Sequence, residues 1–75
     1  VFSIYPNPSN GYLKIENNFN HKYDISFIDI TGKSVFYKTN NRGSIDLNIP
    51  NIERGVYILK IESYSKSLFN KIIIE

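Results

Sequence analysis

The sequence predicts an all-β domain: a small Ig-like antiparallel β-sandwich of about seven strands. Apolar residues recur at every second position over most of the chain, which is the strand period. Clusters of Asn, Gly, Pro and Ser interrupt that pattern every several residues and supply the turns. No segment carries a helical period, and the many β-branched isoleucines favour strands over helices. An open barrel is the rival arrangement.

Phe2 and Ile4 alternate with Ser3 as a first strand, in which Val1 already belongs. Pro6 and Pro8 then bracket Asn7. Each proline fixes its own φ, removes a ladder N–H and pushes the preceding residue toward extended conformations. Pairing must stop or bulge there. Asn10-Gly11 follows as a turn pair, with Gly11 free to take positive φ. Leu13 and Ile15 alternate with Lys14 and Glu16, and the polar stretch Asn17 to Lys22 reads as a hairpin loop.

Tyr23 to Ile30 is apolar on both faces, with Tyr23, Ile25 and Phe27 on one and Ile28 and Ile30 on the other. A strand covered on both sides, or bulged midway, reads this way. Thr31-Gly32 turns into a strand from Ser34 to Lys38, and Thr39 to Gly43 reads as a polar loop. Ile45, Leu47 and Ile49 alternate with Asp46 and Asn48. Pro50 to Arg54 is a second loop. Tyr57, Leu59 and Ile61 alternate with Lys60 and Glu62, Tyr64 to Lys66 turns the chain, and Leu68 to Glu75 closes it as a last strand. The predicted inward set is Ile4, Leu13, Ile15, Ile25, Phe27, Val35, Ile45, Leu47, Tyr57, Leu59, Ile61 and Ile73.

With 75 residues the chain has room for one domain. A domain this small buries only about 60% of its unfolded surface, so its stability is marginal. It has no cysteine, which excludes disulfides and Cys-based metal or redox chemistry. Met and Trp are absent too, so the Phe and Tyr residues carry the bulky packing. The net charge is +2, and the nine Lys and Arg form no run. Nucleic-acid binding calls for a basic stripe, and none is visible. No stretch is apolar for the roughly 20 residues that a membrane helix needs. No secretory signal peptide is present. The chain begins at Val1 in strand-like sequence, as expected of a piece of a longer secreted precursor.

No catalytic constellation can be assembled. His21 is the single histidine and sits in polar loop sequence, where a solvated side chain is the simplest reading. Asp24, Asp29, Asp46 and Glu53 are dispersed beside turns and loops. Asp46 and Asn48 share a strand face, but two oxygen ligands do not make a calcium site. The glycines form no phosphate-binding loop. Tyr57 follows Gly55 at the start of a strand that comes after a corner. Ig-like sandwiches place a tyrosine there whose hydroxyl bonds back to the corner backbone. The expectation is therefore a domain that is not an enzyme, with no catalytic residue, metal or cofactor.

Several pieces then fall in one order: YPNPSNG (Tyr5 to Gly11), YLKIE, FIDITGKSV (Phe27 to Val35), IDLNIPNIERGVYILKI (Ile45 to Ile61) and FNKIIIE (Phe69 to Glu75). Together they resemble the type A C-terminal sorting domain of type IX secretion substrates from Bacteroidota, across essentially the whole chain. The residues that carry the resemblance are Tyr5, Pro6, Asn7, Pro8, Gly11, Asp29, Gly32, Lys33, Gly55, Val56, Tyr57 and Lys71. Glu75 departs from the pattern, since a basic residue is usual at the end.

The resemblance implies that residues 1–75 are a sorting label rather than the working part of a protein. It implies a passenger upstream in cis, a precursor in transit through the periplasm, and recognition by the outer-membrane translocon. A surface sortase that removes the domain, and a passenger left on the cell surface or secreted, complete the implied partners and location. No nucleic acid and no small-molecule substrate are implied. The last strand is the natural handle, and exposed sheet edges allow strand addition by a receptor. The alternative is a carbohydrate-binding or adhesion module, Ig-like or fibronectin-like, of a secreted enzyme. Tyr12, Tyr23, Phe36, Tyr37 and Tyr64 are its candidate aromatic platform.

Overall fold

The computed structural model of the chain describes residues 2–64 and 66–75. Val1, and Ser65 in the expected Tyr64 to Lys66 turn, lie outside them. Among the described residues seven strands form and no helix does. They are β1 (Phe2–Tyr5), β2 (Tyr12–Asn17), β3 (Tyr23–Ile28), β4 (Ser34–Asn41), β5 (Ile45–Asn48), β6 (Gly55–Ser63) and β7 (Lys66–Ile74).

The strands make two antiparallel sheets, ordered β1-β2-β5 and β4-β3-β6-β7. This is a small β-sandwich, as the period-two pattern predicts. Alternation explains why the layers adhere. Leu13, Ile15 and Leu47 of the smaller sheet are buried, as are Tyr23, Ile25, Phe27, Tyr57, Leu59, Ile61, Ile72 and Ile74 of the larger one. These side chains, with Ile49, form one core, and Phe2, Ile4, Phe19, Phe36, Ile45 and Ile52 pack against it. A fully buried aliphatic or aromatic side chain contributes about 1.5–3 kcal/mol by leaving water, so this single cluster is the main source of stability.

Several expectations need correction. The stretch Asn17 to Lys22 is not a hairpin loop. It carries the chain from β2 in one sheet to β3 in the other, and Phe19 within it packs on Phe2, ring centroids 5.7 Å apart. Strand β4 runs on to Asn41, through residues expected to form a loop. Asn41 is buried, and its side-chain amide bonds the carbonyls of Tyr23 (3.0 Å) and Lys38 (2.9 Å), which satisfies the strand end. Strand β3 stops at Ile28, and Ile30 is exposed.

The inward phase also differs on two strands. Val35 is exposed and Phe36 packs against the core instead, because the β3–β4 register shifts between Phe27 and Ile28. On β7, Ile72 and Ile74 are buried and Ile73 is only partly so, since Tyr57 pairs with Ile72. Ile4 and Ile45 are half-buried at the core margin rather than within it.

Candidate functional site

The chain leaves β1 at Tyr5 and crosses to the outer edge of β7. Pro6 and Pro8 have no N–H to donate, so Asn7 and Ser9 are the only donors the segment can offer that edge between Pro6 and Ser9. It uses both. Asn7 Nδ2 donates to the Lys71 carbonyl at 2.9 Å, and the Ile73 N–H donates to Asn7 Oδ1 at 3.0 Å. The Asn7 side chain thus stands in for a peptide group. Ser9 N–H donates to the Ile73 carbonyl at 2.8 Å, and Glu75 N–H donates to the Ser9 carbonyl at 2.9 Å, a parallel bridge. The motif near the start of the chain therefore caps the edge of its last strand.

The segment is closed by its own turn. Ser9 is buried; its hydroxyl donates to the Tyr12 carbonyl at 2.6 Å and accepts from Gly11 N–H at 3.0 Å. Gly11 has φ +115, and a Cβ there would sit 3.1 Å from the Ile49 carbonyl oxygen. Ile49 N–H donates to the Gly11 carbonyl at 2.9 Å, so the two backbones lie too close for a side chain. Residue-type reasoning singled out Gly11 and missed Ser9, which looks like any other turn serine.

Asp29 organises the β3–β4 turn. Its Oδ1 accepts from Thr31 Oγ1 (2.6 Å), Thr31 N–H (2.9 Å) and Lys33 N–H (3.0 Å). These bonds favour the carboxylate, the Thr31 hydroxyl foremost, and hold its pKa below the usual value. Gly32 takes φ +89 at the tip, and Lys33 is exposed.

Gly55 and Tyr57 shape the β5–β6 corner. The Tyr57 hydroxyl donates to the Glu53 carbonyl at 2.7 Å, the bond expected of a corner tyrosine. Its ring stacks on Phe27 with centroids 5.0 Å apart. Gly55 has φ +156, in a region that glycine occupies almost alone. A Cβ there would meet only the Tyr57 ring at an ordinary 3.8 Å, so backbone conformation rather than crowding calls for glycine. Asp29, Gly55, Val56 and Tyr57 line one shallow depression. Pro6, Pro8, Ser9, Asn10, Tyr12 and Glu75 line another.

The sequence-derived residues thus gather at one end of the sandwich. Tyr5 and Tyr12 add a polar fringe on the smaller sheet, their hydroxyls donating to Glu16 (2.8 Å) and Asp46 (2.9 Å). Those hydrogen bonds raise both phenol pKa values. The Lys71 backbone joins the cluster through Asn7; its exposed side chain makes none of these contacts.

His21 lies at the opposite end, its Nδ1 3.1 Å from the Tyr64 hydroxyl, near Asn20, Lys22 and Arg42. Among the described residues no group of three or more His, Asp or Glu could hold a metal ion. Among the described residues no helix is long and apolar enough to cross a membrane. The aromatic residues of the carbohydrate-binding alternative do not converge. Tyr23 is buried and Phe36 half-buried, while Tyr12 lies on one sheet, Tyr37 on the other, and Tyr64 at the far end.

A family model described as the secretion system C-terminal sorting domain matches residues 3–75. The chain belongs to that family. The match spans β1 to β7 and so includes the Asn7–Ser9 clasp on β7, the Asp29 turn and the Tyr57 corner. No curated protein matches the chain. As a sorting domain it is a signal for export across the outer membrane to the cell surface or beyond, and its family is not a catalytic one.

Proposed function

We propose that residues 1–75 act as one label that delivers an upstream passenger, in cis, to the type IX translocon. The full-length family match carries this reading. The geometry supports it. Strand β1 runs from the His21 end, where Phe2 pairs with Asn17, to the motif end, where Tyr5 pairs with Lys14. A passenger joined ahead of Phe2 therefore attaches opposite the motif cluster, and the domain is 32 Å along its longest axis. The motif end therefore stays clear of the passenger junction. A surface sortase then cuts the folded domain away after transit from the periplasm, and the passenger stays on the surface or is released. Tyr5 to Gly11, Asp29, Gly32, Lys33, Gly55, Val56, Tyr57 and Lys71 act in this label by setting the shape of the motif end.

The test is a fusion of these residues to the C-terminus of a periplasmic reporter in a type IX-competent bacterium. The reporter should reach the surface or medium. It should stay periplasmic in a strain that lacks the outer-membrane barrel. Periplasmic retention of a folded fusion in the competent strain refutes the sorting reading. Binding of the isolated domain on a glycan array would then favour the carbohydrate module.

A further inference from the structure

The sandwich has four edge strands, β1, β5, β4 and β7, and it treats them differently. Strands β1 and β5 are four residues each, too short to template much pairing. Strand β4 is longer, but its pairing with β3 carries register shifts that twist and interrupt the edge. Strand β7 pairs with β6 through nine consecutive residues without a shift. Asn7 and Ser9 cover its edge from Lys71 to Glu75. From Lys66 to Asn70, among the described residues, no strand covers it.

The chemistry of that open half follows from alternation. Ile73 directs both its N–H and its carbonyl to the outer edge. By the strand period, Ser67 and Phe69 do the same. Leu68 and Phe69 are 46% and 63% exposed, large values for an edge that water alone would cover. Beside them Phe2, Phe19, Ile61, Ser63, Lys66 and Leu68 line an apolar groove of about 220 Å³. That is smaller than the roughly 300–1,000 Å³ of small-molecule sites, and suits one bulky side chain. Ser63 lines this groove, though its Oγ is itself buried from solvent. Lys66 forms no ion pair among them, while Glu62, across from Ser67, is held by Lys60.

We infer that Lys66–Asn70 is a docking edge for an extended, acidic–apolar peptide strand of the export machinery. This rests on the sorting function proposed above. The incoming strand bonds the outward N–H and carbonyl groups of Ser67 and Phe69. It seats one bulky side chain in the groove and sets a carboxylate on Lys66. Asn7 ends the register, because it already occupies Lys71 and Ile73. A second copy of this chain fits less well. Its own Lys66–Asn70 edge carries no carboxylate, so pairing two copies adds a second lysine and no counter-charge.

Ser67→Pro removes one outward N–H while leaving the β6 ladder in place, since proline is tolerated on an edge. The probe is a capped heptapeptide alternating glutamate with valine or phenylalanine, followed by amide NMR of the 75-residue domain. Shifts should concentrate at Ser63 and from Ser67 to Phe69, and Ser67→Pro should weaken binding about tenfold, the loss expected for one ladder bond. Lys66→Glu, an exposed change, should weaken it comparably and serves if the proline variant melts. Shifts centred on β4, or shifts that grow with protein concentration without peptide, overturn the assignment; the latter would make the edge a self-association surface. In the reporter assay both variants should accumulate in the periplasm while protease-resistant. Normal export of the folded variants overturns the docking edge but leaves the sorting reading standing. Failure of the unaltered fusion defeats the sorting reading itself.

Discussion

Ile73 N–H donates to the Asn7 side-chain oxygen at 3.0 Å across 66 residues of sequence. The same side chain donates back to the Lys71 carbonyl at 2.9 Å. One amide between two prolines therefore ties the N-terminal segment to the last strand, and Ser9 carries the cover on to Glu75.

Asn7→Ala should lower the melting temperature of the isolated domain. Two exposed side-chain-to-backbone bonds are lost, about 1–2 kcal/mol in all. Amide exchange should accelerate at Ile73 and at Glu75, which the same clasp protects. Unchanged exchange at both would show that the clasp is not maintained in solution.

Tyr57→Phe isolates the corner bond. The ring and its stack on Phe27 survive, and only the donor to the Glu53 carbonyl goes. The expected cost is about 1 kcal/mol. Tyr57→Ala also empties part of the core and should cost about 3–5 kcal/mol, enough to unfold a marginal domain. Denaturant melts compare the two. Equal losses would mean that the hydroxyl, rather than the ring, carries the residue's contribution.

Gly11→Ala should destabilise through both conformation and crowding, since a Cβ meets the Ile49 carbonyl oxygen at 3.1 Å. At Gly55 an added Cβ meets no such crowding, and Gly55→Val should cost about 1–3 kcal/mol, chiefly from backbone strain. A melting temperature unchanged by either substitution would mean that the local backbone relaxes freely.

Asp29 gives the domain an acid-sensitive turn. Its pKa is lowered in the folded state, so the unfolded chain takes up that proton first as pH falls. The turn's contribution is complete above the ordinary carboxyl value of 3.8 and drains as pH falls toward the lower folded value. NMR should find the Asp29 carboxyl titrating below 3.8. Asp29→Asn should flatten the change in melting temperature over that window. A titration at or above the ordinary value would refute the account.

The sequence by itself determined where strands form and what interrupts them, because both are local. Alternation at Leu13 and Ile15, or at Tyr57, Leu59 and Ile61, follows from the pleat, and the core confirms it. The prolines, Gly11 and the Thr31-Gly32 turn are local too, and the ordered motifs were enough to indicate the sorting family. Tertiary structure decided which sheet each strand joins, so that Asn17 to Lys22 became a crossing between layers. It also decided phase where adjacent residues are equally apolar. Ile72, Ile73 and Ile74 carry no internal alternation, and Val35 and Phe36 differ little in polarity. Only the register against β6, which pairs Tyr57 with Ile72, and the shifted pairing of β3 with β4 choose between them. The Asn7 clasp belongs to the same class. Periodicity reports the face a residue presents, whereas a hydrogen-bond partner 66 positions away is set by how the finished sheets bring their edges together.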